Sequence, residues 1–137
     1  MSYNYVIDAY AWIEYFRGSE AGATVKHYIE KEESATPTIV IAELSRRLLK
    51  EVEIGGETME GRILKLEFVK ASTIIVDLSQ DIAERSGEID LKRKRDIKEW
   101  GMSDSIILAT ARKANAKVVT GDQHFADLED GTVMMSS

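Results

Sequence analysis

The chain has 137 residues, 44% of them apolar and 31% charged, which is enough for one hydrophobic core and ordinary for a globular protein. The absence of cysteine excludes disulfides, thiolate catalysis and cysteine–zinc sites, and no apolar run reaches the roughly 18–20 residues of a membrane span. A formal charge of -6 argues against a broad electrostatic grip on nucleic acid. Met1-Ser2-Tyr3-Asn4 has no basic segment leading into an apolar one, so a cytoplasmic protein with one domain over 1–137 is expected.

Taken in chain order, Tyr5-Val6-Ile7 fits a short buried strand, and Ala9 to Phe16 a helix closed by Arg17-Gly18. A more polar helix is expected from about 20 to 32. Pro37-Thr38-Ile39-Val40 reads as the next strand, with Pro37 first because proline cannot donate to a ladder. Helical spacing returns through Ile41, Leu44 and Leu48 to Val52, and Gly55-Gly56 breaks it. Another helix runs to about Val69, then Thr73-Ile74-Ile75-Val76 is a strand. Ser79 is suited to cap a helix into the nineties, and Ser103 one that ends at Asn115. Lys117-Val118-Val119-Thr120 is a fourth strand, and Gly131 to Met135 a fifth at an edge. Short apolar strands alternating with helices indicate a mainly parallel sheet of four to five strands in a three-layer α/β/α sandwich.

Ligands in such folds bind outside the carboxyl ends of the strands. Three apolar runs lead into an acid there: Asp8 after Val6-Ile7, Glu43 after Ile39-Val40-Ile41-Ala42, and Asp122 after Val118-Val119-Thr120-Gly121. Gly121 permits a close backbone approach. Asp104 has Ile107, Leu108 and Ala111 at i+3, i+4 and i+7, which puts a carboxylate on the buried stripe of its helix. An ionised carboxylate there needs a cation, hydrogen bonds or a shifted pKa. Each acid also has a plainer account. Asp8 and Asp122 are suited to caps or turns, Asp104 to its own helix dipole, and Glu43 to an ion pair with Arg46 or Arg47. Convergence of all four on one sheet edge favours a shared site.

Other signals are weaker. Lys92-Arg93-Lys94-Arg95, with Lys98 near, is either a phosphate- or partner-binding run or a solvated helix face, and the second reading is preferred. Arg46, Arg47 and Lys50, one turn beyond Glu43, are better placed to meet substrate or a partner. His27 and His124 do not form a metal-ligand pair by spacing, and His124 is expected to be an ordinary neighbour of Phe125. Tyr10, Trp12, Tyr15 and Phe16 raise base stacking, but Trp12 and Phe16 at i and i+4 read more simply as core. No serine-hydrolase elbow or phosphate-loop pattern occurs.

In order, Asp8-Ala9-Tyr10-Ala11-Trp12-Ile13-Glu14, Ala42-Glu43-Leu44, Ser103-Asp104-Ser105-Ile106-Ile107-Leu108-Ala109-Thr110-Ala111 and Val118-Val119-Thr120-Gly121-Asp122-Gln123-His124-Phe125 resemble the PIN domain. The resemblance is strongest to the VapC-like toxin ribonucleases of prokaryotic toxin–antitoxin pairs. It implies that Asp8, Glu43, Asp104 and Asp122 bind Mg²⁺ or Mn²⁺, that Thr120 supports the site, and that RNA is cleaved to 5′-phosphate and 3′-hydroxyl ends. It also implies a homodimer and a cognate antitoxin. Tyr10 stands where many members carry Ser, Thr or Asn. An RNA-maturation nuclease, a degenerate PIN domain that only binds, and a phosphoacceptor domain are the alternatives. Retention of all four acids opposes the second, and a single acid after the first strand opposes the third.

Overall fold

A computed structural model describes residues 2–135. Along the chain run β1 (Tyr5–Ile7), α1 (Ala9–Arg17), α2 (Glu20–Glu30), β2 (Ser34–Pro37), α3 (Thr38–Glu53), α4 (Met59–Ser72), β3 (Ile74–Val76), α5 (Gln80–Lys94), α6 (Met102–Lys113), β4 (Lys117–Thr120) and β5 (Thr132–Met134). Single 3₁₀ turns at Gln123–Phe125 and Glu129–Gly131 join the last two strands.

The five strands lie in the order β3-β2-β1-β4-β5, and every neighbouring pair is parallel. With the right-handed crossovers that parallel strands follow as a rule, this strand order sends α1 to α4 over one face and α5 and α6 over the other. The packed pairs agree: α1 on α2, α3 on α4 and α1 on α3, with α5 on α6. The result is the three-layer α/β/α arrangement expected from the sequence. Val6, Ile7, Val118 and Val119 are fully buried at its centre, as strands covered on both faces must be. Among the described residues no helix is long and apolar enough to cross a membrane.

The second strand is not where periodicity places it. It is Ser34–Pro37, and Thr38-Ile39-Val40-Ile41 is the first turn of α3. Helix wins because Val40, Leu44 and Leu48, spaced by four, are all buried. Each such side chain stabilises by about 1.5–3 kcal/mol, against a few tenths lost per β-branched residue in a helix. Pro37 ends the strand and opens the helix, where its fixed φ of -65° fits and no N–H is needed. Small polar residues occupy a central strand because their hydroxyls are satisfied. Ser34 Oγ donates to the Tyr28 carbonyl at 2.5 Å, and Thr36 Oγ1 accepts from Trp12 Nε1 at 3.1 Å.

Helix α6 also begins two residues earlier than a cap at Ser103 would place it. Its N-cap is Gly101, so Ser103 lies inside the first turn and does not cap.

Candidate metal centre

Neighbouring strands β1 and β4 mark the point where the strand order reverses. The chain leaves β1 toward β2 and β3, and later returns to β4 on the other side. Helices diverge at such a point and leave a crevice at the strand ends. Asp8 follows β1 and Asp122 lies two residues beyond β4, so both stand at this mouth.

Asp8 is 5% exposed and does cap α1, accepting the Ala11 N–H at 2.8 Å. The cap uses one oxygen direction only. The polar side chain of Thr120 nearby also favours the charged carboxylate. Burial nonetheless pushes the Asp8 pKa up to about 7, with the negative charges of Asp122 and Glu43 adding to it.

Thr120 is fully buried, and its hydroxyl oxygen accepts the Asp122 N–H at 3.0 Å. The same side chain neighbours Asp8 and favours its charged form, so it borders the acids at both strand ends. The Asp122 carboxylate accepts the His124 N–H at 2.9 Å and lies 3.3 Å from His124 Nδ1. Gly121 is dictated by a neighbour: a Cβ there would fall 2.4 Å from Cε1 of Tyr10.

Asp104, in the first turn of α6, accepts the Gly101 N–H at 3.0 Å. Burial raises its pKa and Asp122 adds to the effect, while His124 and Arg93 oppose it. Glu43 comes from the second turn of α3, not from a strand end, as the relocation of β2 requires. It reaches the group through Ser103, whose hydroxyl donates to Glu43 Oε2 at 3.3 Å. Burial raises the Glu43 pKa too, with Asp104 contributing.

The four acids are thus linked in a ring of like charge: Asp8 with Asp122 and Glu43, Glu43 with Asp104, and Asp104 with Asp122. The tightest part is Asp104, Asp122 and His124, whose ligand atoms lie within 4.8 Å of one another. Asp8 and Glu43 fall outside that group and border it. Among the described residues, none of the four acids is paired with Lys or Arg. Converging oxygen donors with raised proton affinity and no Lys or Arg in ion-pair contact have the chemistry that suits a hard divalent cation. His124, passed over by its spacing from His27, sits in this group because it follows Asp122 by two residues on the same 3₁₀ turn.

The basic residues divide. Arg47 pairs with Glu51 at 3.4 Å, and the alternative of an ion pair between Glu43 and Arg46 or Arg47 is not formed among the described residues. Arg46 and Lys50 are exposed on α3. In the run 92–95, Arg93 is turned inward and its side chain is 13% exposed. It donates to the His124 carbonyl at 2.6 Å and to both Asp127 oxygens at 3.1 and 2.8 Å. Its guanidinium carbon lies 4.2 Å from the Trp100 ring centroid. Arg93 therefore pins the segment bearing His124 against α5, and the reading as a wholly solvated face fails at this position. Lys92 and Arg95 stay exposed, along an open groove of about 1110 Å³ that none of the four acids lines. Arg93→Gln is expected to lower stability by about 1–3 kcal/mol, a range that allows for the exposed Asp127 partner. Urea denaturation checks this, and an unchanged midpoint would contradict it.

Residues 5–131 match the profile of the PIN domain. Comparison with curated protein sequences gives no match. Among solved structures, the toxin–antitoxin complex from Klebsiella pneumoniae superposes with a TM-score of 0.73 at 23% identity, over 96% of this chain and 97% of that one. VapBC2 from Rickettsia felis, bound to a DNA fragment from its promoter, gives 0.75 at 18% identity over 96% and 98%. VapC20 from Mycobacterium tuberculosis, a toxin that cleaves the sarcin-ricin loop, gives 0.67 at 15% identity over 91% and 95%. These likenesses concern the fold, and they agree with the parallel sheet and the placement of its helices. With the profile spanning nearly the whole chain, this protein belongs to the PIN domain family.

Proposed function

We propose that the chain is a Mg²⁺- or Mn²⁺-dependent endoribonuclease, acting in the cytoplasm as the toxin of a VapBC-type pair. The observation that carries the reading is the ring of Asp8, Glu43, Asp104 and Asp122 at the switch point of the sheet, without a Lys or Arg ion-pair partner among the described residues. A cation held there supplies positive charge to offset that building on a scissile phosphate, and it eases ionisation of an attacking water. Asp8, Asp104 and Asp122 are the residues to hold it, with His124 beside them.

The remaining parts serve those carboxylates. Thr120 holds the backbone of Asp122 by a hydrogen bond and borders the Asp8 carboxylate. Gly101 holds one oxygen of Asp104. Glu43, with its proton affinity raised and one oxygen held by Ser103, is suited to accept a proton from water. Placing these groups on strand ends and helix starts keeps the geometry rigid.

The toxin assignment draws on the neighbours, several of which are toxin–antitoxin complexes. It brings an RNA substrate, an antitoxin and a homodimer as partners. Purified protein is expected to cut single-stranded RNA with Mn²⁺ or Mg²⁺ and to stop when EDTA is added, leaving 5′-phosphate ends. Cleavage that persists in EDTA would overturn metal dependence. Growth arrest on expression, relieved by the product of the adjoining gene, separates a toxin from an RNA-maturation enzyme.

A further inference from the structure

An acidic nuclease must hold a polyanion with little help from long-range charge. At a formal charge of -6, the grip has to come from a bound cation and from contacts that do not depend on sign. Stacking of a base on an aromatic ring is such a contact, since every base has a π-face.

Tyr10 meets the requirement. It lies two residues after Asp8, in the first turn of α1, and its ring rests on Gly121, the residue before Asp122. The backbone contact is close enough that a Cβ on Gly121 would come within 2.4, 2.8 and 3.0 Å of three ring carbons. One side of the ring is thereby braced on the loop that carries a metal-binding acid. Yet Tyr10 is 49% exposed. Among the described residues it stacks on no other ring and meets no cation. Its hydroxyl has no hydrogen-bond partner there. The contrast is Trp12, Tyr15, Phe16 and Phe68, which pack on one another. Those four are accounted for by their contacts with one another, Phe68 included although it is 40% exposed. Tyr10 is not.

We propose that the Tyr10 ring, braced on Gly121, is a nucleobase subsite that stacks one base beside the scissile phosphate and so positions the strand at the acids. The proposal rests on the endoribonuclease reading and adds how the substrate is held. Many family members have a small hydroxyl or amide at this position, so the platform belongs to this chain's own sequence.

The test pairs protein and RNA changes. A short oligoribonucleotide with one cleavage site is prepared intact and with a single abasic residue at each position flanking that site. It is then cleaved in Mn²⁺ by wild type, Tyr10→Phe, Tyr10→Leu and Tyr10→Ala. For the wild type, one abasic position is expected to lower kcat/KM by about tenfold, a typical stacking contribution. Tyr10→Phe should keep that penalty. Tyr10→Leu, which still covers Gly121, and Tyr10→Ala should lose it, because with no ring the missing base costs nothing further. Wild type and Tyr10→Leu showing the same penalty at every position would overturn the subsite. So would Tyr10→Ala changing the mass in solution while the positional penalties stay the same, which would give the ring to a subunit contact. If wild type and Asp104→Asn both fail to cleave the intact RNA, the enzymatic reading falls and takes the subsite with it.

Discussion

Asp104→Asn is expected to lower kcat/KM for RNA cleavage by about a thousandfold while leaving the protein folded. Asparagine has the shape of aspartate and keeps an oxygen for the Gly101 N–H, so the start of α6 has no reason to unravel. What it lacks is charge. Asp104 belongs both to the tight group with Asp122 and His124 and to the ring that reaches Glu43. Loss of residues that merely orient a ligand typically costs 10- to 100-fold, and loss of the ligand itself must cost more. Steady-state cleavage rates with thermal denaturation of both proteins make the check. Because burial and Asp122 raise the Asp104 pKa, the neutral variant should be no less stable than wild type without metal. Equal cleavage by the mutant would point to a contaminating nuclease or to a site elsewhere.

The second large effect concerns stability. Asp8, Glu43 and Asp104 all have pKa values raised by folding, Asp8 to about 7. The folded state therefore binds more protons than the unfolded chain between pH 4 and 7. Metal-free protein is stabilised at the acid end of that window and loses the advantage as pH rises through the folded values. For Asp8 alone the loss is on the order of 2–4 kcal/mol by neutral pH. Asp8→Asn removes the titrating group and keeps a capping side chain, so at pH 7.5 the metal-free variant should be more stable than metal-free wild type. Divalent metal works against that difference. At a hundred times its Kd, Mn²⁺ adds about 2.7 kcal/mol to wild type, or roughly 5–10 °C in Tm for a chain of this size. Asp8→Asn should respond little. Thermal melts across pH 4.5–8, with and without Mn²⁺, read both effects. A wild type whose Tm is flat in pH and unmoved by Mn²⁺ would contradict the account of the ring.

This opposition of function and stability also explains why so much of the candidate site is legible in the sequence. Acids that follow apolar strands, and an acid on the buried stripe of a helix, break the ordinary patterning of a globular chain. Asp8, Asp104 and Asp122 stand out for that reason. The relocation of β2 shows where pattern fails. Thr38-Ile39-Val40-Ile41 has the composition of a strand, and only the burial of Val40, Leu44 and Leu48 on one side of α3 reveals the helix. Ser34-Ala35-Thr36 carries no apolar signal, because its place in the sheet depends on partners at Tyr28, Trp12 and Thr73. Glu43 was assigned to the site with the wrong local reason and arrives there from α3 through Ser103. Arg93 and His124 were invisible for a related cause. Their roles lie in contacts between α5 and the 3₁₀ turn after β4, about thirty residues apart in the chain, and no local spacing encodes such a pair. Tyr10 and Gly121 likewise depend on two segments meeting.

Anomalous diffraction from crystals grown with Mn²⁺ tests the shared site most directly. The account expects a manganese peak bounded by the carboxylates of Asp8, Asp104 and Asp122, lost in Asp104→Asn. An ordered, unmodified site with no peak there at saturating Mn²⁺, or a peak held by other residues, would contradict it.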